Sequence, residues 1–426
     1  RHAHPRGVIT NPEATMPEPE AWHYETITKP MADIPSPERL FFGRVIPCTG
    51  DTIIEDGFVH VKDGKITAVG KKADAPKFFG VETIDTKGKT LMPGMMNSHA
   101  HLNWDGIHEL SRQSMYDPVP ISVFKAATNM QKSLKAGITL VRDLGFHGLN
   151  LYSKQAVAQG IFAGPRLKVC GNSIIQTGGH TYWVCREASG ADEMRRAVRE
   201  QVRGGADLIK IMACHDTLEF TDAELEAVID ESHRNKLPIT AHATYNDCIK
   251  RVAEFGIDCI EHGGAMTDET IQILLDRKLP IVTTFSALVI QANAGIARQF
   301  GIPDWKISER QKAVADKSRF DGLVRAAKSG VPIVFGTDAG SPAVEHDQIV
   351  PELGFMVEVG VCPSIMDALH SITARAAKLN GMGDKLGTLE PGKLADLIVV
   401  DGKPDQDLNA LKKVDMTFIG GKMMHG

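Results

Sequence analysis

Short apolar runs alternate with amphipathic stretches through the middle of the chain, from about residue 99 to residue 380. Apolar runs of about four to eight residues bounded by turns indicate buried strands, and apolar positions three or four apart indicate helices. The predicted strands are 91–101, 137–143, 166–170, 208–212, 237–242, 257–262, 280–284 and 331–338. The predicted helices are 122–135, 191–203, 222–235, 268–277 and 309–329. Eight strands alternating with helices predict a (β/α)8 barrel, the TIM barrel.

Helix start signals support this alternation. Thr221-Asp-Ala-Glu224 has the sequence of a capping box, in which the threonine side chain and the glutamate side chain each bind the other residue's backbone amide. Thr267 precedes an acidic first turn in the same way. Helices are therefore predicted to begin at residues 222 and 268.

Both ends of the chain differ from this middle part. Residues 40–91 form short strands separated by turns, with Asp63-Gly64 as a hairpin signal, and residues 393–400 and 414–419 again have strand patterns. We predict one small β-sandwich domain built from 40–92 and 384–426, flanking a barrel domain of 93–383. Residues 1–39 are polar and rich in proline, which opposes regular structure, and are predicted to be an N-terminal extension.

Composition is compatible with this organisation. The chain has 426 residues and is 42% hydrophobic, whereas an ordinary TIM barrel takes ~250 residues. The formal net charge of -5 gives no sign of the basic patches that bind nucleic acid, so a small molecule or a peptide is the expected partner.

Cysteine usage and hydropathy bear on the location of the protein. The seven cysteines are dispersed, odd in number and without Cys-x-x-Cys spacing, which favours reduced thiols in a cytoplasmic protein. No run approaches the ~18 apolar residues of a membrane helix, so no membrane partner is expected. Since the chain starts at Arg1, export after removal of a leader stays open.

Six side chains suited to binding metal ions stand at the ends of five predicted strands. They are His99, His101, Lys210, His242, His262 and Asp338. In a strand, residues at i and i+2 share a face, so His99 and His101 can reach one ion. Singly, each residue is equally explained as a core histidine, a lysine extending to solvent or a helix-capping aspartate. All six together predict a two-metal hydrolase.

These residues also carry a family resemblance. His99-Ala-His101 after Pro93-Gly94, the later metal-binding residues in this order, and the run GTLEPGKLADLIV at 387–399 resemble the amidohydrolase superfamily over about 40–426. Lys210 within GADLIKI at 205–211, together with Thr177-Gly-Gly-His180, resembles one branch of it. That branch holds Xaa-Pro dipeptidases, carboxypeptidase-like dipeptidases and ochratoxin-degrading amidohydrolases.

The resemblance implies a site with two zinc ions per chain. It assigns His99, His101 and Asp338 to the buried ion, His242 and His262 to the outer ion, and a carbamate formed by CO2 on Lys210 to both. A free lysine, with a pKa of ~10.4, is a poor ligand, whereas a carbamate offers two oxygens. A water between the ions is the expected nucleophile, and Asp338 moves its proton to the leaving amine. The resemblance also implies a high-order homo-oligomer such as an octamer.

Substrate-binding residues are harder to assign from sequence. His180 follows two glycines after the third strand, where the branch holds a substrate carboxylate, and Tyr245 follows His242 closely enough to serve there too. A loop-stabilising histidine and a structural tyrosine are the competing explanations. Trp104, Phe146, Trp183 and Phe285 are candidates for an apolar pocket or for plain packing. Asn97 stands where many relatives carry aspartate, which puts the orientation of His99 in question.

The expected function is hydrolysis of the amide bond of N-acyl amino acids or dipeptides, with release of the C-terminal residue, as in the cleavage of ochratoxin A to ochratoxin alpha and phenylalanine. A Xaa-Pro dipeptidase, a lactonase or esterase, and an imidazolonepropionase-like or deaminase-like hydrolase are alternatives. The last of these is mononuclear and has no use for Lys210. A non-catalytic scaffold would have lost metal-binding residues, and all six are present.

Overall fold

The computed structural model of the protein describes residues 36–77, 80–214 and 217–426. The predicted N-terminal extension lies outside the described residues except for 36–39. The strands are β1 (Arg39–Val45), β2 (Ile54–Lys62), β3 (Lys65–Lys71), β4 (Glu82–Pro93), β5 (Met95–Ala100), β6 (Ile138–Asp143), β7 (Arg166–Val169), β8 (Ile174–Ile175), β9 (Arg186–Glu187), β10 (Ile209–Met212), β11 (Ile239–Ala243), β12 (Cys259–His262), β13 (Ile281–Val282), β14 (Ile333–Val334), β15 (Leu397–Val400), β16 (Val414–Ile419) and β17 (Lys422–His425).

The α-helices are α1 (Leu110–Tyr116), α2 (Val119–Lys135), α3 (Leu149–Ala158), α4 (Ala191–Gly204), α5 (Asp222–Arg234), α6 (Asn246–Phe255), α7 (Asp268–Arg277), α8 (Ser286–Ala292), α9 (Ala294–Ala297), α10 (Asp304–Ala315), α11 (Asp321–Ser329), α12 (Val350–Val359), α13 (Ile365–Ile372) and α14 (Ala374–Leu379). Short 3-10 helices span Lys72–Asp74, Arg298–Phe300, Lys317–Phe320 and Leu408–Lys412. Over the parts of the chain that the structure describes, no helix has the length and apolar character needed to cross a membrane.

The eight predicted barrel strands are β5, β6, β7 and β10 to β14. Neighbours pair in parallel within β5-β6-β7 and within β10 to β14, and short β8 lies beside β10. Backbone hydrogen bonds join the two groups: Asp207 N–H donates to the Val169 carbonyl (2.8 Å), and Asp338 N–H donates to the His99 carbonyl (2.9 Å). The predicted TIM barrel is therefore confirmed.

The strands from the two chain ends form one mixed seven-stranded sheet in the order β17-β16-β15-β4-β1-β2-β3. Its buried residues share a core, in which Phe41 and Phe418 meet edge to face with ring centroids 5.0 Å apart. Ile66 N–H donates to the Lys393 carbonyl (2.8 Å), which ties the β3 end back to the segment before β15. The small β domain from both ends is confirmed, while the boundaries at 92/93 and 383/384 stay a prediction.

One predicted helix is wrong in its extent. The single helix expected over 309–329 is divided into α10, a 3-10 turn and α11. Asp316 ends α10, and its side chain accepts a hydrogen bond from Ser318 N–H (3.2 Å), which starts a new turn. Phe320 then turns inward against Phe285 and Phe355, with ring centroids 5.4 and 5.3 Å away. This aromatic contact reorients the chain where sequence periodicity is weak.

Candidate active site

The barrel brings all six predicted metal-binding side chains to the carboxyl ends of its strands. They line one cavity of about 400 Å³. His99 lies in β5, Lys210 in β10, His242 in β11 and His262 at the end of β12, while Asp338 follows β14. Parallel strands all end at the same face of a barrel, which is why residues far apart in sequence meet there.

Three of these residues form a compact group. His99 Nε2 and His101 Nε2 lie 3.3 and 3.1 Å from Asp338 Oδ1. One potential ligand atom from each residue lies within 4.8 Å of the other two. The imidazoles of His242 and His262 adjoin this group, with ring centroids 4.4 Å apart and His262 4.9 Å from His99. The structure therefore brings His242 and His262 next to this group, and their division between an inner and an outer metal ion stays a prediction.

The chemistry of the group suits metal ions. His99 Nδ1 and His101 Nδ1 are bonded to Glu261 Oε2 (2.8 Å) and to the Gly145 carbonyl (2.9 Å), which leaves each Nε2 facing the cavity. His242 Nε2 is buried and has no hydrogen-bond partner among the described residues. Burial and the neighbouring His262 hold the pKa of His242 well below its ordinary value, so its ring is neutral. Neutral imidazoles with a carboxylate are donors that zinc accepts.

Asp338 is ionised in this setting. Burial alone would raise its pKa, but the adjacent His99 and His101 hold it well below the ordinary value. Its backbone has φ 58°, and His262 has φ 72°, so both residues occupy the left-handed region that non-glycine residues rarely adopt. This conformation is strained and aims the side chains at the cavity as each strand turns into its loop.

Lys210 is buried at 2% exposure in the same cavity. No carboxylate of the described residues lies within ion-pair distance of its amine, and burial lowers its pKa. A buried ammonium without a partner carries a large desolvation cost, which favours the neutral amine.

Sequence reasoning missed Glu261 and Arg142, two buried residues that orient the ring of His99. Glu261 is fully buried, accepts from His99 Nδ1, and forms an ion pair with Arg142 and a hydrogen bond with Thr240. Burial would raise the pKa of Glu261, but Arg142 and His99 lower it. A glutamate inside an otherwise apolar strand was the available signal, because such a residue is rarely buried without a partner.

Asn97, which stands where many relatives carry aspartate, joins two segments of the site by hydrogen bonds. Its amide Nδ2 donates to Thr337 Oγ1 (2.7 Å), and its Oδ1 accepts from the backbone amides of His99 (3.3 Å) and Thr337 (3.2 Å). Asn97 therefore joins β5 to the segment that carries Asp338. It acts on the backbone of His99, while Glu261 orients the ring.

The predicted substrate-binding residues divide into two groups. His180 lines the cavity, with its ring 5.2 Å from that of His242, and Trp104 and Trp183 line it as well. The structure does not place Tyr245 among the residues that line this cavity; burial and the neighbouring Cys214 raise the pKa of its phenol to about 12.

The other two aromatic candidates pack outside this cavity. Phe146 packs behind Trp104, with ring centroids 5.8 Å apart. Phe285 lines a second cavity of about 460 Å³, which also reaches His242, His262 and Asp338. Of the four aromatic candidates, Trp104 and Trp183 are therefore the two that line the main cavity.

A TIM barrel with this set of side chains at its mouth defines a hydrolase with a candidate metal centre. The model of the amidohydrolase family matches residues 90–424, and the chain belongs to this family. It is a hydrolase acting on amide bonds, as the sequence predicted.

Relatives agree at the level of the predicted branch. The ochratoxinase of Aspergillus niger is 27% identical over 433 residues, which cover 91% of this chain and 86% of the relative. The structure of a Xaa-Pro dipeptidase with bound methionine in the active site is 29% identical, with a TM-score of 0.79 and coverage of 91% of this chain and 100% of that chain. A prolidase complexed with N-methylphosphonate-L-proline is 26% identical, with a TM-score of 0.80 and coverage of 91% and 99%.

Proposed function

We propose that this protein is a binuclear zinc amidohydrolase that cleaves the amide bond of N-acyl amino acids or dipeptides and releases the C-terminal amino acid. The observation that carries the proposal is the meeting of four histidines, one aspartate and one buried lysine at a single cavity. Relatives named ochratoxinase and Xaa-Pro dipeptidase support this substrate class. Ochratoxin A is a candidate substrate.

In this proposal His99, His101 and Asp338 would hold one zinc ion, and His242 and His262 would hold the other. Lys210, buried and favouring its neutral amine, would add to CO2 with loss of a proton, and the resulting carbamate would offer its oxygens as further ligands for zinc. When bound, zinc supplies Lewis acidity that polarises a carbonyl and lowers the pKa of water.

The remaining steps belong to side chains of the cavity. Asp338, which is ionised and has Oδ1 3.1 Å from His101 Nε2, accepts the proton of the attacking water and donates it to the leaving amine. His180 binds the carboxylate of the leaving amino acid. Trp104 and Trp183 exclude water from the apolar part of the substrate.

The first test is elemental analysis of the purified protein together with a hydrolysis screen. The substrates are ochratoxin A, N-acyl amino acids, Xaa-Pro dipeptides and lactones, and release of amino acid and of ammonia is measured. Two zinc ions per chain with release of a C-terminal amino acid is the expected result. One metal ion per chain with ammonia as the product would instead indicate a deaminase and contradict the proposal.

Replacement of Lys210 tests the bridging role. Lys210→Met keeps a similar volume but cannot form a carbamate, so we expect bound zinc to fall from two ions to at most one per chain and turnover to fall more than about 100-fold. Lys312→Met, on the exposed side of α10, is the matched control. Two zinc ions and full turnover in Lys210→Met would contradict the assignment.

Association and location are also part of the proposal. All seven cysteines are free thiols, six of them buried, which supports a reducing compartment such as the cytoplasm. We propose a homo-oligomer, which sedimentation equilibrium of the purified protein measures directly.

A further inference from the structure

One wall of the active-site cavity carries two cationic side chains that are not among the predicted metal-binding residues. Lys306 and Arg310, one turn apart on α10, both line the cavity, and among the described residues Asp338 is the one carboxylate that does so. Like charges four residues apart on a helix repel each other. Half-buried Lys306 has no carboxylate of the described residues within ion-pair distance. Burial and the neighbouring Arg310 lower the pKa of Lys306, which an anionic partner would reverse.

A hydrogen bond to a buried residue holds the guanidinium of Arg310 in place. Its Nε donates to Gln291 Oε1 (3.1 Å), and Gln291, at 3% exposure, donates from Nε2 to the Pro342 carbonyl (2.9 Å). Pro342 belongs to the same loop as Asp338. The contact of Arg310 with Glu309 (3.4 Å) is on the exposed side, where an ion pair contributes little. Arg310 is thus positioned relative to the reacting centre.

His108 adds an uncharged polar group to this wall. Its backbone amide donates to the Phe300 carbonyl (3.0 Å), which fixes the loop beside α10. The ring lines the cavity, and its Nδ1 is buried without a hydrogen-bond partner among the described residues. Two cations and one imidazole ring therefore line the same space, and an anion with several oxygen acceptors suits the two cations.

The order of the barrel strands shows which part of the substrate meets this wall. His180 follows β7, the third barrel strand, and α10 follows β13, the seventh. In a ring of eight strands the third and seventh are opposite each other, so their loops cover opposite sides of the mouth. If His180 binds the leaving amino acid, α10 faces the acyl group across the scissile amide.

We propose that Lys306 and Arg310, with His108, form an anion-binding subsite for the acyl group. The preferred substrates are then N-acyl amino acids or dipeptides whose acyl part carries its own carboxylate or a comparable anion. This inference rests on the proposed amide hydrolysis. Gln291 is a positioning residue for Arg310.

Paired substrates test the subsite. N-glutaryl-L-phenylalanine and N-pentanoyl-L-phenylalanine have the same leaving residue and the same acyl chain length, and differ in the terminal carboxylate. We expect the wild-type protein to prefer the glutaryl substrate by about 10- to 100-fold in kcat/KM, chiefly through KM, as for a hydrogen bond to a charged group. Lys306→Met/Arg310→Met should remove this preference by lowering kcat/KM for the glutaryl substrate far more than for the pentanoyl substrate. Lys312→Met should retain the preference.

Other outcomes have distinct meanings. No preference in the wild-type protein, or a preference that survives the double substitution, would overturn the subsite while amide hydrolysis stands. An equal loss for both substrates would show that α10 binds their shared carboxylate, which overturns the acyl assignment. If neither substrate is cleaved, calorimetry measures the affinity of the zinc-loaded protein for glutarate and for pentanoate. Tighter binding of glutarate that the double variant loses would support an anion site. Equal affinities for the two compounds would refute it.

Discussion

Glu261 shows how a single buried residue prepares the cavity at the residue scale. Its carboxylate accepts from His99 Nδ1 on one side and pairs with Arg142 on the other, and all three side chains are nearly or fully buried. The bond selects the tautomer of His99 that presents Nε2 to the cavity. The cation of Arg142 keeps the carboxylate ionised. The orientation of His99 thus depends on two residues outside the cavity wall.

Replacement of this carboxylate should affect both stability and metal binding. Glu261→Gln keeps the shape but leaves Arg142 as a buried cation without its partner, so we expect a loss of about 3–5 kcal/mol in the free energy of unfolding. Zinc affinity should fall about 10- to 100-fold because His99 is less well oriented. Urea unfolding and zinc titration measure the two effects. Glu226→Gln, exposed on α5, is the control, and equal stabilities would contradict the role of the pair.

A second buried carboxylate gives a pH dependence of stability. Burial raises the pKa of Glu352 from 4.5 to about 7. Between these values the unfolded chain has lost the proton that the folded protein retains, so the contribution of Glu352 to stability falls as pH rises from about 4.5 to about 7. Glu352→Gln cannot titrate. The unfolding free energy of the wild-type protein relative to this variant should therefore decrease over that range and level off above it, and a flat difference would contradict the raised pKa.

At the scale of elements, the sequence correctly predicted where a helix begins when a side chain hydrogen-bonds to the adjacent backbone. The predicted capping box at α5 is present: Thr221 accepts from Glu224 N–H (3.4 Å), and Glu224 Oε2 accepts from Thr221 N–H (2.8 Å). The division of 309–329 was missed because it depends on Phe320 packing against aromatic residues from two other elements. Short-range hydrogen bonds are visible in sequence, and long-range contacts are not.

The cap gives a prediction for the element that it starts. Thr221→Ala removes the side-chain acceptor from the first turn of α5, and we expect the free energy of unfolding to fall by about 1 kcal/mol. Thr221→Ser keeps the acceptor and should recover most of this loss. Ser308→Ala, at an exposed position inside α10, controls for loss of a hydroxyl group. Chemical denaturation of the four proteins would contradict the cap if Thr221→Ala equals the wild type.

At the scale of the whole molecule, the sheet from the chain ends is joined to the barrel by buried polar contacts. Arg166 at the start of β7 forms a two-pronged ion pair with Asp396 (2.8 and 3.0 Å), and Asp396 is 4% exposed. Gly94 N–H, between β4 and β5, donates to the Asp396 carbonyl (2.9 Å). Asp396 therefore links the C-terminal strands to two barrel strands.

Breaking this link should destabilise the molecule as a whole. Arg166→Met leaves Asp396 buried without its cation, and we expect a loss of about 3 kcal/mol in the free energy of unfolding. Arg166→Met/Asp396→Asn removes both charges and should recover part of it, so the double-mutant cycle gives a positive coupling. Calorimetry measures both, and additive losses would show that the two side chains act independently.

The sequence by itself determined the alternation of strands and helices, the pairing of the chain ends and the six candidate metal-binding residues. Periodicity reports burial of local segments, and parallel strands must end at one face, so His99 and Asp338 could be placed together without coordinates. Only the tertiary structure decided that Tyr245 lies outside the main cavity wall, that Glu261 and Arg142 support His99, and that Lys306 and Arg310 line the main cavity. The physical reason is that these relations depend on side-chain directions across elements distant in sequence, which a linear pattern does not contain.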